Sequence, residues 1–322
     1  MSYTSSLFSR IERFDEHYKV THKSDTLLFY TRMFDIFWDS HQYPPLLTKE
    51  RLSGWICCLD EESVHRQVSR ILLVRQLGKY LQSIGERDQY VLPYGICPKV
   101  PEYVPYFFTE EELKRFFSDE VMGLLLPVSG AMSRQYVLPQ LFSTIHCCGL
   151  RPGEARTLLL EDVDLGHEWL DIKGTKTSRD RRLPIGEALL ENLRQYDLIM
   201  QRRLPGRKYF FPTKIHDCYT SSSLSNSFSS ILKDAGIGQS SNGNNAHLYN
   251  LRHHYAIENI NGWVAEPNFD SKFQYLSKSM GHSSLESTKR YYSLIPEFAE
   301  ILQETSEASF NEIIPEVDEY ED

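Results

Sequence analysis

The stretch Met280-Gly281-His282-Ser283-Ser284-Leu285-Glu286-Ser287-Thr288-Lys289-Arg290-Tyr291 decides how the rest of the chain reads. Ser283 followed three residues later by Glu286 has the pattern of a capping box and predicts a helix start here. Tyr291 would then stand about two turns in, beside Lys289 and Arg290. Alone, such a tyrosine is a packing residue with a wet tip. Three upstream stretches change that reading: Gly149-Leu150-Arg151-Pro152-Gly153-Glu154-Ala155, Lys173-Gly174-Thr175-Lys176 and Asn250-Leu251-Arg252-His253. Two arginines, a lysine, a histidine and a late tyrosine suffice to attack a phosphodiester without a metal.

The chain has 322 residues, long for one domain, so two domains are the default expectation. With 41% hydrophobic, 12% aromatic and 25% charged residues it can bury a large core. No apolar run reaches the length of a membrane helix. The opening Met1-Ser2-Tyr3-Thr4-Ser5-Ser6 lacks the basic-then-apolar order of a signal peptide. A cytoplasmic protein with no membrane partner is expected. The six cysteines, Cys57, Cys58, Cys97, Cys147, Cys148 and Cys218, include two adjacent pairs and no C-x-x-C. That spacing fits neither a disulfide framework nor a zinc site, and buried free thiols are expected instead. No metal and no cofactor are called for.

The net charge of −9 argues against nucleic acid until its distribution is read. Ten of the 44 acidic residues lie from Pro296 onward, where there is no Lys or Arg. The rest of the chain holds 34 acids against 35 bases. A near-neutral body can carry the basic face that phosphate binding needs. The acidic end is a separate element whose sign disfavours DNA.

In the first hundred residues Leu7, Phe8, Ile11 and Phe14 share a helix face, and Val64, Val68, Ile71, Leu72 and Val74 recur at helical spacing. Thr26 to Trp38 is more uniformly apolar and predicts a buried helix. Pro93, Pro98, Pro101 and Pro105 punctuate a stretch without period, the best linker candidate. It ends at Thr109-Glu110-Glu111-Glu112, a second capping box. Beyond it the elements mix. Leu138 to Cys148 predicts a buried helix with Pro139 in its first turn, and Pro152 suits the first position of the next. Trp169 to Lys173 alternates as a strand, Gly174 to Asp180 is a polar turn, and Arg182 to Ile185 returns as a second strand. Helices are predicted at Glu187–Arg202, Ser222–Ala235, Leu248–Ile260 and Ser271–Met280, with a short strand or extended piece at Tyr209–Phe211 and a loop at Gln239–Asn245.

With these stretches in order, the chain resembles the tyrosine recombinases, the family of phage integrases and Xer- and Cre-like enzymes. The resemblance runs from about Tyr106 to Tyr291. Gly149-Leu150-Arg151 with Glu154 matches the first arginine motif, and Lys176 matches the lysine on a β-hairpin. Leu251-Arg252-His253 matches the second arginine motif, while Gly281-His282 and Tyr291 match the third position and the nucleophile. The resemblance implies a mainly α fold with a small β-sheet in a two-domain architecture: a helical core DNA-binding domain over 1–104 and an α+β catalytic domain over 105–295. An acidic tail over 296–322 follows. It also implies site-specific recombination of double-stranded DNA through a 3′-phosphotyrosyl intermediate, by a homo-tetramer on paired sites, for integration or excision of a mobile element. Accessory recombination proteins are candidate partners. A DNA-binding regulator on a decayed recombinase scaffold and a type IB topoisomerase-like activity are the alternatives.

The catalytic set is then Arg151, Lys176, Tyr249, Arg252, His282 and Tyr291, supported by Glu154 and His253. Arg151 and Arg252 can each give bidentate hydrogen bonds to the non-bridging oxygens, His282 can add another, and Lys176 can protonate the leaving 5′-oxygen. Lys173 competes with Lys176, and Tyr292 with Tyr291. Glu154 is expected to orient Arg151, and His253 to face the core in a structural role. Arg179, Arg181 and Arg182 are either phosphate contacts or a solvated hairpin face. One departure stands out. The family usually has histidine three residues before the second arginine, with substituted members known; here that residue is Tyr249. His247 lies five before Arg252 and on a helix would point elsewhere. In the tail, Phe298, Ile301 and Leu302 sit at helical spacing, which suggests docking on a neighbouring protomer or on the chain's own domain, with disorder expected from about Phe310.

Overall fold

Apolar residues recurring three and four apart shape the first of the two units into which the chain divides, Met1–Tyr103, as helices. A computed structural model describes residues 3–21, 26–100, 105–123, 134–174, 180–238 and 245–291. In the first unit α1 (Phe8–Thr21), α2 (Thr26–Ser40), α3 (Lys49–Ile56) and α4 (Val64–Ser83) surround one core. Ile11 and Phe14, Phe34 and Trp38, Leu52 and Trp55, and Ile71, Val74 and Leu77 supply it. Thr48 and Ser63 start α3 and α4 by accepting hydrogen bonds from the amides of Arg51 and Arg66. The expectation of an evenly buried α2 needs correcting: Phe29 and Ile36 are more than half exposed, so α2 has a solvent side. Inside this unit Arg70 is buried and fully engaged. Its Nε and Nη2 reach the two Glu62 oxygens at 2.6 Å each, and its other donors reach the carbonyls of Trp55 and Cys57.

The second unit, Val104–Asp322, opens with α5 (Glu110–Phe116), whose capping box forms as predicted. The Thr109 amide donates to Glu112 at 3.0 Å and the Glu112 amide to Thr109 Oγ1 at 3.1 Å. After α6 (Asp119–Gly123) comes α7 (Arg134–Cys148), buried through Val137, Leu141, Phe142 and Ile145. It begins four residues before the expected start, so Pro139 lies in its second turn and forgoes one intrahelical bond. Next are α8 (Pro152–Arg156) and a three-stranded antiparallel sheet of β1 (Val163–Asp164), β2 (Trp169–Ile172) and β3 (Arg181–Pro184). Its register pairs Leu170 with Leu183 and Asp171 with Arg182, so apolar side chains face the core and a charged pair faces out.

Helix α9 (Glu187–Arg203) packs on α7, and β4 (Pro212–Lys214) pairs with β5 (Asp217–Cys218). Of the strand or extended piece expected at Tyr209–Phe211, Tyr209 forms an isolated bridge with Leu159, and the regular strand β4 begins at Pro212. Then follow α10 (Ser221–Asp234), α11 (Tyr249–Trp263), α12 (Phe269–Ser279) and α13 (Glu286–Lys289). The last corrects the opening expectation. Ser283 does not cap it, because α13 begins at Glu286 with Leu285 at the N-cap, two residues beyond Ser283; α13 is a single turn, and Tyr291 follows it. Of the six cysteines only Cys148 is buried, with Cys57, Cys58 and Cys147 exposed. No described helix is long and apolar enough to cross a membrane. Lys176, Arg179, Tyr292 and the segment from 296 onward lie outside the described residues.

Candidate active site

Where α7 ends, Gly149 turns the chain with φ +59°. A Cβ there would lie 2.3 Å from the Tyr255 ring, so glycine is required. The turn delivers Arg151 immediately before α8. The Arg151 amide donates to Glu154 Oε2 at 3.0 Å, Nη1 donates to Oε1 at 2.7 Å, and Nη2 donates to the Gly281 carbonyl at 2.8 Å. Glu154 grips a second arginine, Arg181, whose Nη2 and Nη1 lie 2.7 Å and 3.2 Å from its oxygens. Burial pushes the Glu154 carboxyl pKa up, but the bonds and charges of Arg181 and Arg151 outweigh it and hold it below the ordinary value. Arg181 also donates from Nε to the Ser279 carbonyl at 2.5 Å, and its side chain is 9% exposed. It is therefore an internal strut and not the DNA-facing hairpin arginine considered from the sequence. Arg182 keeps an outward position, pairing with Asp171 at 2.7 Å and lying 4.0 Å over the Trp169 ring.

The end of α12 places the next group. The amides of Gly281 and His282 donate to the carbonyls of Lys278 (2.9 Å) and Ser277 (3.0 Å), the two bonds of a Schellman cap, with Gly281 at φ +66°. A Cβ on Gly281 would meet Arg181 Nη1 at 2.9 Å, so the glycine also lets the arginines approach. His282 Nδ1 then lies 2.6 Å from Thr288 Oγ1. Arg252, in the first turn of α11, is 0% exposed. Its Nη1 and Nη2 donate to the carbonyls of Gly149 (2.6 Å) and Met280 (2.7 Å), and its Nε has no partner. Among the described residues no carboxylate pairs with it. Burial holds its pKa below the ordinary arginine value.

Tyr291 is 5% exposed, and its hydroxyl lies 2.9 Å from His253 Nδ1. His253, expected to face the core in a structural role, contacts the tyrosine oxygen. Burial pushes the Tyr291 pKa up to about 12, against the pull of Arg252 and Arg151. Burial, joined by the Arg252 charge, pushes His253 down to about 4. The same two causes, with Arg151 and Arg181, take His282 down to about 4. Both rings are neutral at neutral pH.

A cavity of about 520 Å3 opens beside this cluster, lined by Arg151, Glu154, Arg156, Lys173, Ser221, His247 and Tyr249 among others. Tyr249 is 37% exposed there, with its ring 5.0 Å from that of His253. His247 also reaches the cavity, contrary to the helical argument, because α11 begins only at Tyr249. Its amide donates to Asn250 Oδ1 at 2.8 Å, and its Nδ1 contacts the same oxygen. An asparagine three residues after a histidine was the signal for this local capping arrangement. Lys173 is held by Asp162 at 2.5 Å, which raises its pKa and weakens its claim to act as an acid. Arg151, Glu154, Tyr249, Arg252, His253, His282 and Tyr291 are thus brought together through α8, α11 and the α12 cap.

The phage integrase family model matches residues 117–297, more than half of the chain. The protein belongs to the phage integrase family. Its members include the tyrosine recombinases, which are DNA strand-transferring enzymes. The integrase/recombinase y4rB of Sinorhizobium fredii is 25% identical over 260 residues, covering 79% of this chain and 82% of the relative. The tyrosine recombinase XerC of Chlorobaculum parvum is 25% identical over 244 residues, covering 72% and 70%. In fold, this chain is similar to a lambda integrase tetramer bound to a Holliday junction, at TM-score 0.59 and 16% identity, covering 86% of this chain and 77% of that one.

Proposed function

We propose that this family member is a site-specific recombinase that cleaves and rejoins double-stranded DNA through a 3′-phosphotyrosyl link to Tyr291. The observation that carries the reading is Arg252: a fully buried guanidinium with no carboxylate partner among the described residues and an unpaired Nε. Buried Arg75 of the first unit shares that state, so the weight falls on the company Arg252 keeps. It stands in the same cluster as Arg151, His282 and the Tyr291 hydroxyl, the groups a phosphoryl-transfer step needs. The Tyr291 oxygen attacks phosphorus and the 5′-oxygen leaves, with the phosphate held by Arg151, Arg252 and His282. Lys176 is the assigned donor of a proton to that 5′-oxygen. The link conserves the phosphoester energy, so a 5′-hydroxyl of the same or another strand can reverse the step. In this reading the first unit grips the duplex beside the core site, four protomers act on paired sites, and the tail docks on a neighbouring protomer. The biological outcome is integration or excision of a mobile element.

On a nicked suicide substrate the wild-type protein should form a denaturation-resistant DNA adduct. Tyr291→Phe should bind the DNA without forming it, and Tyr292→Phe should form it normally. An adduct lost in Tyr292→Phe and kept in Tyr291→Phe overturns the assignment. Strand exchange between two duplexes, and not relaxation alone, separates recombination from topoisomerase chemistry.

A further inference from the structure

We infer that His253 is the group that takes the proton from Tyr291 during cleavage and returns it during rejoining. The inference rests on the phosphotyrosyl reading above and assigns the step left open there, since Tyr249 occupies the position where the family usually carries histidine. The geometry is direct. His253 Nδ1 is 2.9 Å from the Tyr291 hydroxyl, within the reach a general base requires. The His253 and Tyr291 rings meet edge to face at 5.6 Å, and the Tyr249 ring lies 5.0 Å from the same imidazole, so His253 contacts both tyrosine rings. With the neutral ring accepting at Nδ1, the phenol O–H points at the lone pair that would receive its proton.

In the step, the Oη–H bond breaks toward Nδ1 while Oη–P forms and P–O5′ breaks. The 5′-oxygen leaves with a proton from Lys176. In rejoining, the 5′-hydroxyl returns its proton to Lys176 as it attacks phosphorus, the Oη–P bond breaks, and Oη recovers its proton from the His253 imidazolium. The same surroundings disfavour this proton transfer in the absence of DNA. Burial and the adjacent Arg252 charge disfavour an imidazolium, and burial disfavours a phenolate. A phosphate seated on Arg252 and Arg151 brings negative charge that offsets the first effect. Substrate binding is thereby what turns His253 into a base.

The competing account of the contact is a latch that merely holds Tyr291 in place, and the two predict opposite signs. In single-turnover cleavage of the suicide substrate, His253→Ala should slow adduct formation on the order of a hundredfold. DNA affinity should stay within about twofold of wild type, and added imidazole should restore at least about tenfold of the lost rate. His253→Gln, which keeps a polar partner for the hydroxyl but cannot take its proton, should be as slow as His253→Ala. Cleavage by His253→Ala as fast as wild type, or faster, identifies a latch and overturns the inference. Loss of DNA binding in both variants without imidazole rescue overturns it in favour of a structural role. If the wild-type protein itself forms no Tyr291 adduct, the phosphotyrosyl reading fails first.

Discussion

Arg70 in the first unit and Arg252 in the second are both fully buried, yet they are bonded in opposite ways. Arg70 lies against Trp55 and is neutralised by Glu62, with carbonyls taking the remaining donors. Arg252 donates to two carbonyls, faces no carboxylate among the described residues, and keeps an unpaired Nε. Burying a charge costs several kcal/mol unless it is matched. Residue type and burial are the same in both places, so neither marks a site. A missing carboxylate does not suffice either, since buried Arg75 of the first unit also bonds only to carbonyls and keeps an unpaired Nη1; what sets Arg252 apart is that it shares its surroundings with Arg151, His282 and the Tyr291 hydroxyl.

The sharpest way to break this comparison is to remove each charge while keeping its bulk. Arg252→Met should lower the adduct-forming rate on the order of a hundredfold to a thousandfold, as loss of a preorganised oxyanion donor does. It should leave folding stability within about 1 kcal/mol, because no buried carboxylate is stranded. Arg70→Met should do the reverse. It strands Glu62 and should cost about 3 kcal/mol in chemical denaturation, with cleavage per folded molecule unchanged. A large stability loss in Arg252→Met would make it a structural cation like Arg70.

A second contrast lies in the histidines of the second unit. His146, His253 and His282 are each pushed down to about 4, in every case chiefly by burial. Their folded pKa lies below the unfolded value of about 6.5, so as pH falls the unfolded chain takes up protons first. The stability they support is present above about pH 6.5 and is lost as pH falls toward about 4. The apparent Tm of the full chain should drop on the order of 10 °C between about pH 7 and pH 5. His146→Phe, whose ring cannot charge, should flatten part of that slope. An unchanged slope would remove His146 from the account.

Local signals carried much of this architecture. The Thr109–Glu112 capping box and the alternation of Trp169 to Ile172 need only neighbours in sequence to be read, and both formed. The order of the two arginine motifs and Tyr291 identified the family because their spacing survives in the chain. The rest depended on partners far apart. Arg181 sits in a basic hairpin that resembles a solvated face, but its carboxylate is Glu154, 27 residues earlier on another element. His253 meets Tyr291 across 38 residues. Ser283 and Glu286 have the right spacing for a cap, yet α13 begins at Glu286 with Leu285 at the N-cap. His247 was misplaced because it was read as helical although it lies two positions before α11 begins.

The smallest effect is expected at Tyr249, and it sharpens the assignment of His253. Tyr249 lines the cavity, packs on the His253 ring, and lies 5.9 Å from the Arg252 guanidinium carbon. Its hydroxyl carries a proton of its own, whereas a neutral imidazole offers a bare ring nitrogen to accept one. If the proton passes to His253, the hydroxyl contributes one auxiliary hydrogen bond, worth about 1 kcal/mol or roughly a fivefold change in rate. Tyr249→Phe should therefore slow cleavage several-fold and keep the aromatic contact that steadies His253. Tyr249→His should retain or raise activity, because it places a second imidazole in the cavity. Both follow from single-turnover rates on the suicide substrate at saturating DNA. Complete loss in Tyr249→Phe would mean that this hydroxyl carries essential chemistry. The proton would then leave through Tyr249, and the His253 contact would be packing after all.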